Sequence, residues 1–167
     1  MPQPVCAIIG AGEGLGRALA AKFAKQGFEI ALVSRSEAGS TAALEAASVV
    51  SENVRYFSAD ARQPTSIESA LTKVAADMGE IDVLIYNARG EFTNCEPLEM
   101  SYAALDDVFQ VEVVGAFAAA KTVLPAMIRR ARGSVFFSSA TAAYRGSRTH
   151  PLYAIGKFAL RGLSQSL

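Results

Sequence analysis

The 167-residue chain is poor in several residue types, and each scarcity argues against certain kinds of functional site. It has one histidine, two cysteines and no tryptophan. Cys6 and Cys95 lie far apart and match no metal-ligand spacing, so no metal site is predicted. Cys6 falls in an apolar run and is predicted to be a small core residue. We expect a protein of the reducing cytoplasm.

Net charge and long apolar runs are also lacking. Sixteen basic and sixteen acidic residues cancel, and no basic block is present. The even charge argues against a nucleic-acid or anionic-membrane surface. The apolar runs are short and broken by glycine, so no membrane span is predicted, and the N-terminus lacks the features of a secretory signal. With 51% apolar residues, residues 1–167 are expected to form one buried domain.

Short apolar runs alternate with helical patterns along the chain. The runs are nearly continuous in apolar residues, as strands buried on both faces are. Strands are predicted at 5–9, 29–34, 54–58, 81–86 and 134–138, and helices at 15–26, 37–51, 65–78 and 101–130. This alternation predicts an α/β fold with a Rossmann-type, doubly wound parallel sheet covered by helices on both faces. Ligands of such sheets bind beyond the carboxyl ends of the strands.

A glycine-rich loop follows the first predicted strand. Glycines at a strand-to-helix junction allow a sharp turn and a close approach to a pyrophosphate, whose charge suits the helix N-terminus. The alternative is a structural turn without a ligand. The loop residues predicted to contact a dinucleotide are Gly10, Gly12, Glu13, Gly14, Leu15 and Gly16.

The residues at the end of the second predicted strand distinguish NAD from NADP as the cofactor. An acidic residue there suits NAD, whereas a basic residue suits the 2′-phosphate of NADP. Ser34 stands where the acid is expected, and Arg35 follows it. Arg35 can bind a phosphate through charge-assisted hydrogen bonds, or it is an ordinary surface residue. Glu13 argues the other way, because its carboxylate would repel that phosphate. NADP(H) is favoured over NAD(H).

Tyr153 and Lys157 lie four residues apart in the sequence YAIGK. This spacing puts both side chains on one face of a helix. A nearby ammonium favours the phenolate form of a tyrosine, which makes the pair a usable acid/base. By itself the spacing equally fits two solvated residues.

Taken in order, these motifs resemble those of the classical short-chain dehydrogenase/reductase family. The chain adds an Asp after the third strand (Asp60), Asn87-Ala88 after the fourth and a serine pair after the fifth. The resemblance implies a sheet in the order 3-2-1-4-5. It also implies a small-molecule carbonyl or alcohol substrate and hydride transfer with NAD(P).

The resemblance further implies a role for each matching residue. Asp60, with Ala61 beside it, would contact the adenine, and Asn87 and Ala88 would lie along the cofactor. Tyr153 would exchange a proton with the substrate oxygen, and Lys157 would hold the nicotinamide ribose. A serine would donate a hydrogen bond to the substrate oxygen. Ser139 is the predicted serine and Thr141 the alternative, because the family's usual position is Ala140 here.

Two further departures bear on activity. Arg89 stands where the family has a glycine near the cofactor, and Glu112 stands where it has a catalytic asparagine. An ionised Glu accepts hydrogen bonds but donates none, so an asparagine-held water is not expected. These departures support an alternative function, a dinucleotide-binding scaffold or regulatory protein without turnover. His150, near Tyr153, is expected to be a loop residue that precedes the helix carrying Tyr153. The alternative is that His150 is a catalytic acid or base.

The family usually continues well beyond the Tyr-Lys motif, with further strands and a substrate loop. This chain ends at Leu167, so we expect it to be truncated relative to the family, with an open sheet edge at the fifth strand. The resemblance also implies a homodimer or homotetramer built on the long helix and the final helix. Ala116, Ala118, Ala119 and Ala120 would permit close packing there, or they pack inside one chain.

Overall fold

The computed structural model describes residues 3–167, and a five-stranded parallel sheet forms its centre. The strands are β1 (Val5–Ile9), β2 (Glu29–Ser34), β3 (Val54–Ser58), β4 (Ile81–Tyr86) and β5 (Ser134–Phe137). Their order is β3-β2-β1-β4-β5, which confirms the predicted topology. β5 ends one residue earlier than predicted, at the last residue in register with β4.

Helices connect the strands. They are α1 (Leu15–Lys25), α2 (Thr41–Ser48), α3 (Pro64–Met78), α4 (Tyr102–Phe109), α5 (Gly115–Arg129) and α6 (Pro151–Ser166). The predicted helix 37–51 is shorter in the structure. Its first residues form a 3₁₀ turn over Ala38–Ser40, where Ser36 Oγ accepts a hydrogen bond from the Gly39 amide. Such local side-chain bonds compete with α-helix formation.

The predicted helix 101–130 is helical but not uniform. α4 and α5 are joined by a wider π-helical segment, Gln110–Val114. Such segments are rare and often lie at functional sites. This one carries Glu112, which therefore sits at a local irregularity of the longest helix.

The combined helix Tyr102–Arg129 bears on the expectation that the chain has no membrane span. Among the described residues it is the element long and apolar enough to cross a membrane, although none was predicted. Half of its most apolar window is buried inside the protein, as the core helix of a globular domain would be. Ala116, Ala118, Ala119 and Ala120 are at most 3% exposed, so they pack within the chain.

Two apolar cores lie on opposite faces of the sheet, because successive strand side chains point to opposite sides. Val5 and Ala7 face the core shared with α3, α5 and α6. Cys6 and Ile8 face the core shared with α1 and α2. Burial raises the pKa of the Cys6 thiol to about 12. Cys6 is thus a core residue, as predicted.

The strand order reverses direction between β1 and β4, which creates a crevice at their carboxyl ends. β5 forms one edge of the sheet, as predicted, and Phe136 on it is 51% exposed. The crevice is where ligands of this architecture bind, so its residues define the candidate site.

Candidate dinucleotide and substrate site

A cleft of about 760 Å³ opens at the carboxyl ends of the strands. Most residues predicted to act on a cofactor or substrate line it: Gly10, Gly12, Gly14, Leu15, Gly16, Ser34, Arg35, Asp60, Ala61, Asn87, Ala88, Ser139, Tyr153 and Lys157. Glu13 is exposed and lies outside the lining, as does Thr141, which begins a 3₁₀ turn. The fold thus gathers residues that follow the five strands, together with Tyr153 and Lys157 of α6, into one cleft.

The glycines of the first loop divide into two kinds. Gly10 has a φ of +85°, and a Cβ there would lie 2.5 Å from the backbone nitrogen of Ala88. The Asn87 side chain donates to the Gly10 carbonyl at 2.9 Å, which fixes this approach. Gly12 and Gly14, in contrast, have no atom within 4 Å of an added Cβ. Gly10 therefore shapes the fold, and Gly12 and Gly14 leave open space along the cleft.

The far end of the cleft holds one cation without an ion partner. Arg35 is exposed and forms no salt bridge within residues 3–167. Arg62, nearby, is bound in a two-pronged pair with Asp107, with Nη2 and Oδ2 3.0 Å apart, and this bond raises the pKa of Arg62. Ser34 Oγ donates to the Ser36 carbonyl at 2.9 Å. Of the cleft-lining guanidinium groups, Arg35 and Arg89 thus remain without an ion pair in the described part of the chain, and Arg35 is the one that follows β2.

The other end of the cleft holds the predicted acid/base pair. α6 begins at Pro151, a residue whose fixed φ suits the first helical position. Tyr153 is half-buried one turn before Lys157, and Lys157 Nζ lies 5.7 Å from the centroid of the Tyr153 ring. Lys157 Nζ donates to the Ser138 carbonyl at 3.0 Å. The two side chains share one face of α6, as their spacing predicts.

A buried carboxylate also meets Lys157. Glu112 Oε2 accepts from Lys157 Nζ at 2.9 Å, and Glu112 Oε1 accepts from the Gly90 amide at 3.3 Å. Behind this pair, the Tyr86 hydroxyl donates to the Val111 carbonyl. The pKa of Tyr86 is raised, first by burial and then by the negative charges of Glu112 and Asp60. The expectation that Glu112 serves only as an acceptor agrees with these contacts, and its partner is Lys157 itself.

An aromatic residue that the sequence did not single out stands beside Tyr153. Phe92 stacks on His150, with ring centroids 4.2 Å apart, and meets the Tyr153 ring edge-on at 5.0 Å. The Arg89 guanidinium lies 5.6 Å from the Phe92 centroid. His150 leads into α6, as expected, and its Nδ1 is 3.0 Å from Thr149 Oγ1. Phe92 lies in an irregular loop, where no periodic pattern marks it.

A parallel doubly wound sheet with a glycine loop at the strand switch, facing a Tyr-Lys pair on a helix, is the architecture typical of dinucleotide-binding proteins. More narrowly, the chain belongs to the short-chain dehydrogenase family, whose model matches residues 4–167. The departures at Arg89 and Glu112 therefore occur inside a family member.

Relatives and solved structures agree with this assignment. A short-chain dehydrogenase/reductase of Armillaria gallica is 31% identical over 166 residues, which cover 96% of this chain and 62% of that protein. The 3-oxoacyl-(acyl-carrier-protein) reductase FabG of Escherichia coli is 28% identical, with 98% and 65% covered. The structure of a metagenomic short-chain oxidoreductase in complex with NADP has a TM-score of 0.92 at 25% identity, with 99% and 74% covered. The chain thus spans less than two thirds of the length of these two curated relatives.

Proposed function

We propose that the chain transfers hydride between NADP(H) and a small carbonyl or alcohol compound, with Tyr153 as the acid/base. The observation that carries this proposal is the shared cleft. The glycine loop, Tyr153 and Lys157 line the same cavity, and Lys157 Nζ is 5.7 Å from the Tyr153 ring. A cofactor on the glycine loop and a substrate near Tyr153 would therefore meet.

The lining fits a dinucleotide along its length. Open space at Gly12 and Gly14 suits a diphosphate, which backbone amides at the start of α1 would hold. Asp60 and Ala61 are proposed to contact the adenine, and Asn87 and Ala88 the middle of the cofactor. Lys157 is proposed to hold the nicotinamide ribose. When bound, the dinucleotide supplies the hydride chemistry, and the protein supplies position and a proton.

Tyr153 is proposed to move that proton. In carbonyl reduction its phenol donates to the substrate oxygen, and in alcohol oxidation its phenolate accepts from the hydroxyl. Lys157 is proposed to keep its ammonium beside this phenol, where Nζ lies 5.7 Å from the centroid of the Tyr153 ring. Ser139, two residues beyond the end of β5, is proposed to donate a hydrogen bond to the substrate oxygen as charge develops there. A donor so placed contributes about 3 kcal/mol to transition-state stabilisation.

Arg35 is the support for NADP(H) over NAD(H). It is the unpaired guanidinium at the adenosine end, where the 2′-phosphate would lie, and it can offer two parallel N–H groups. Glu13, whose charge opposes this preference, is exposed and outside the cleft lining.

The test is a titration followed by a substrate screen. NADPH and NADH are titrated into the purified protein, and we expect the tighter binding for NADPH. A panel of carbonyl compounds is then added while NADPH absorbance is followed. Substrate-dependent loss of absorbance supports the dehydrogenase function.

A second candidate function is a dinucleotide-binding scaffold or regulatory protein. It is favoured by the Glu112 carboxylate, which already occupies one donor of Lys157, and by the bulky Arg89, which lines the cleft. NADPH binding with no oxidation across the whole carbonyl panel would favour this function and contradict the first.

Three general properties of the protein are proposed together with this function: its domain organisation, its location in the cell and its assembly. Residues 1–167 act as a single dinucleotide-binding domain, the protein works in the cytoplasm, and it assembles as a homodimer or homotetramer. Phe117 and Phe158, on the two helices expected to pair, are 47% and 43% exposed. Light scattering after size-exclusion chromatography tests the assembly, and a monomer at micromolar concentration would contradict it.

A further inference from the structure

The ion pair between Glu112 and Lys157 is almost completely buried. The side chains are 2% and 4% exposed, and they join positions 45 residues apart in sequence. Within residues 3–167 neither side chain forms another ion pair. Each charge is therefore balanced by the other and by hydrogen bonds alone.

Burying such a pair is costly unless every polar atom finds a partner. Both oxygens of Glu112 do, since Oε2 faces Lys157 Nζ and Oε1 faces the Gly90 amide. The helix that carries Lys157 also makes room for the carboxylate. A Cβ on Gly156 would lie 2.9 Å from Glu112 Cγ, so a side chain there would displace Glu112. The surroundings of the pair are thus shaped to hold Glu112 against Lys157.

The pair also determines where the Lys157 ammonium points. An ammonium has three N–H donors. One is directed to Glu112 and one to the Ser138 carbonyl at 3.0 Å, which leaves a third. Lys157 lines the cleft beside Tyr153, whereas Glu112 does not line it. Glu112 and Ser138 together therefore leave the third donor for a group in the cleft.

We propose that Glu112 is a positioning residue of the acid/base pair, which acts through Lys157 and does not itself touch cofactor or substrate. Its carboxylate holds the ammonium in place and balances its charge, so that the remaining N–H can bind the cofactor ribose. This role presupposes the proposed function only in that Lys157 contacts a bound dinucleotide.

A double-mutant cycle on NADPH affinity tests this role. Dissociation constants are measured for the wild type, Glu112→Ala, Lys157→Met and the double variant, each shown to be folded by circular dichroism. We expect each single substitution to weaken binding about tenfold, and the double variant to bind no more weakly than Lys157→Met. Glu112→Gln, which keeps the side-chain volume and one oxygen acceptor, is expected to lose less affinity than Glu112→Ala. Asp106→Asn, an exposed carboxylate in the same long helix, is the control and should bind like the wild type.

Several results decide against the proposal. A folded Glu112→Ala variant that binds NADPH within about twofold of the wild type would overturn it, as would single effects that multiply in the double variant. A purely structural ion pair would show coupling in thermal stability and none in affinity. If Glu112→Ala does not fold, Glu112→Gln takes its place in the cycle. Wild-type protein that binds NADPH but reduces no carbonyl would overturn the proposed catalysis, while the affinity cycle would still judge Glu112.

Discussion

Two glycines of the same loop should separate folding from cofactor binding when each is substituted. Gly10 is in a left-handed conformation and contacts the backbone at Ala88, whereas Gly12 faces open space in the cleft. Gly10→Ala should therefore destabilise the fold. Gly12→Val should leave the fold intact and fill the space in which we place the cofactor diphosphate.

The expected magnitudes follow from the local geometry. A left-handed φ of +85° costs an L-residue about 1–2 kcal/mol. A Cβ 2.5 Å from a backbone nitrogen forces the strand ends apart, and overpacking of this kind costs about 1–3 kcal/mol more. The sum of roughly 2–5 kcal/mol corresponds to a fall in Tm of roughly 4–20 °C for a chain of this size. Gly12→Val should change Tm by no more than about 2 °C.

Differential scanning fluorimetry without cofactor measures the first effect, and NADPH titration measures the second. Gly12→Val should weaken NADPH binding by at least about tenfold, which corresponds to about 1.4 kcal/mol. A structural role for Gly10 is contradicted if Gly10→Ala has the same Tm as the wild type. A cofactor-binding role for Gly12 is contradicted if Gly12→Val binds NADPH with wild-type affinity, since the diphosphate would then lie elsewhere.

Three further predictions concern single side chains around the cleft and in the core. Arg35→Ala should weaken NADPH binding by about 10- to 100-fold and leave NADH binding unchanged, because only the 2′-phosphate loses its charge-assisted bonds; an equal loss for both cofactors would contradict the placement. Phe92→Ala should raise KM for a carbonyl compound with NADPH affinity unchanged, since Phe92 lies against Tyr153, where we place the substrate; an unchanged KM would contradict that placement. At pH 8 a thiol reagent should modify Cys95 and spare Cys6, because the Cys6 pKa of about 12 keeps that buried thiol protonated. Cys6 should react only after urea unfolds the protein, and rapid modification of both cysteines in the folded protein would refute this.

The centre of the sheet could be predicted from the sequence because β1, β2 and β4 are buried on both faces, whereas β3 and β5 are partly exposed. These three strands appear as nearly continuous apolar runs, and the observed bounds of β1 to β4 match the predicted ones. The glycine loop and the Tyr153–Lys157 pair could also be located, because each depends on spacing within a few residues. α2 was predicted too long, since the side-chain hydrogen bond of Ser36 to the Gly39 amide has no signature in the apolar pattern.

The contacts between distant segments could not be predicted. Glu112 was noted as a departure from the family, yet nothing in the sequence pairs it with Lys157, because the π-helical segment that carries it has no periodic signal. The stacking of Phe92 on His150 likewise joins two loops that the sequence treats separately. The Glu112–Lys157 contact depends on the packing of α4 and the π-helical segment against α6, which spacing alone does not specify.

The central claim is that Tyr153 is the acid/base of a reaction on a bound nicotinamide cofactor, and the Tyr153→Phe variant tests it most directly. The substitution removes the hydroxyl and keeps the ring that packs against Phe92. We expect substrate-dependent NADPH oxidation to fall by roughly 10²- to 10⁴-fold, with the dissociation constant for NADPH within about twofold of the wild type. Turnover near the wild-type rate in Tyr153→Phe would contradict the account.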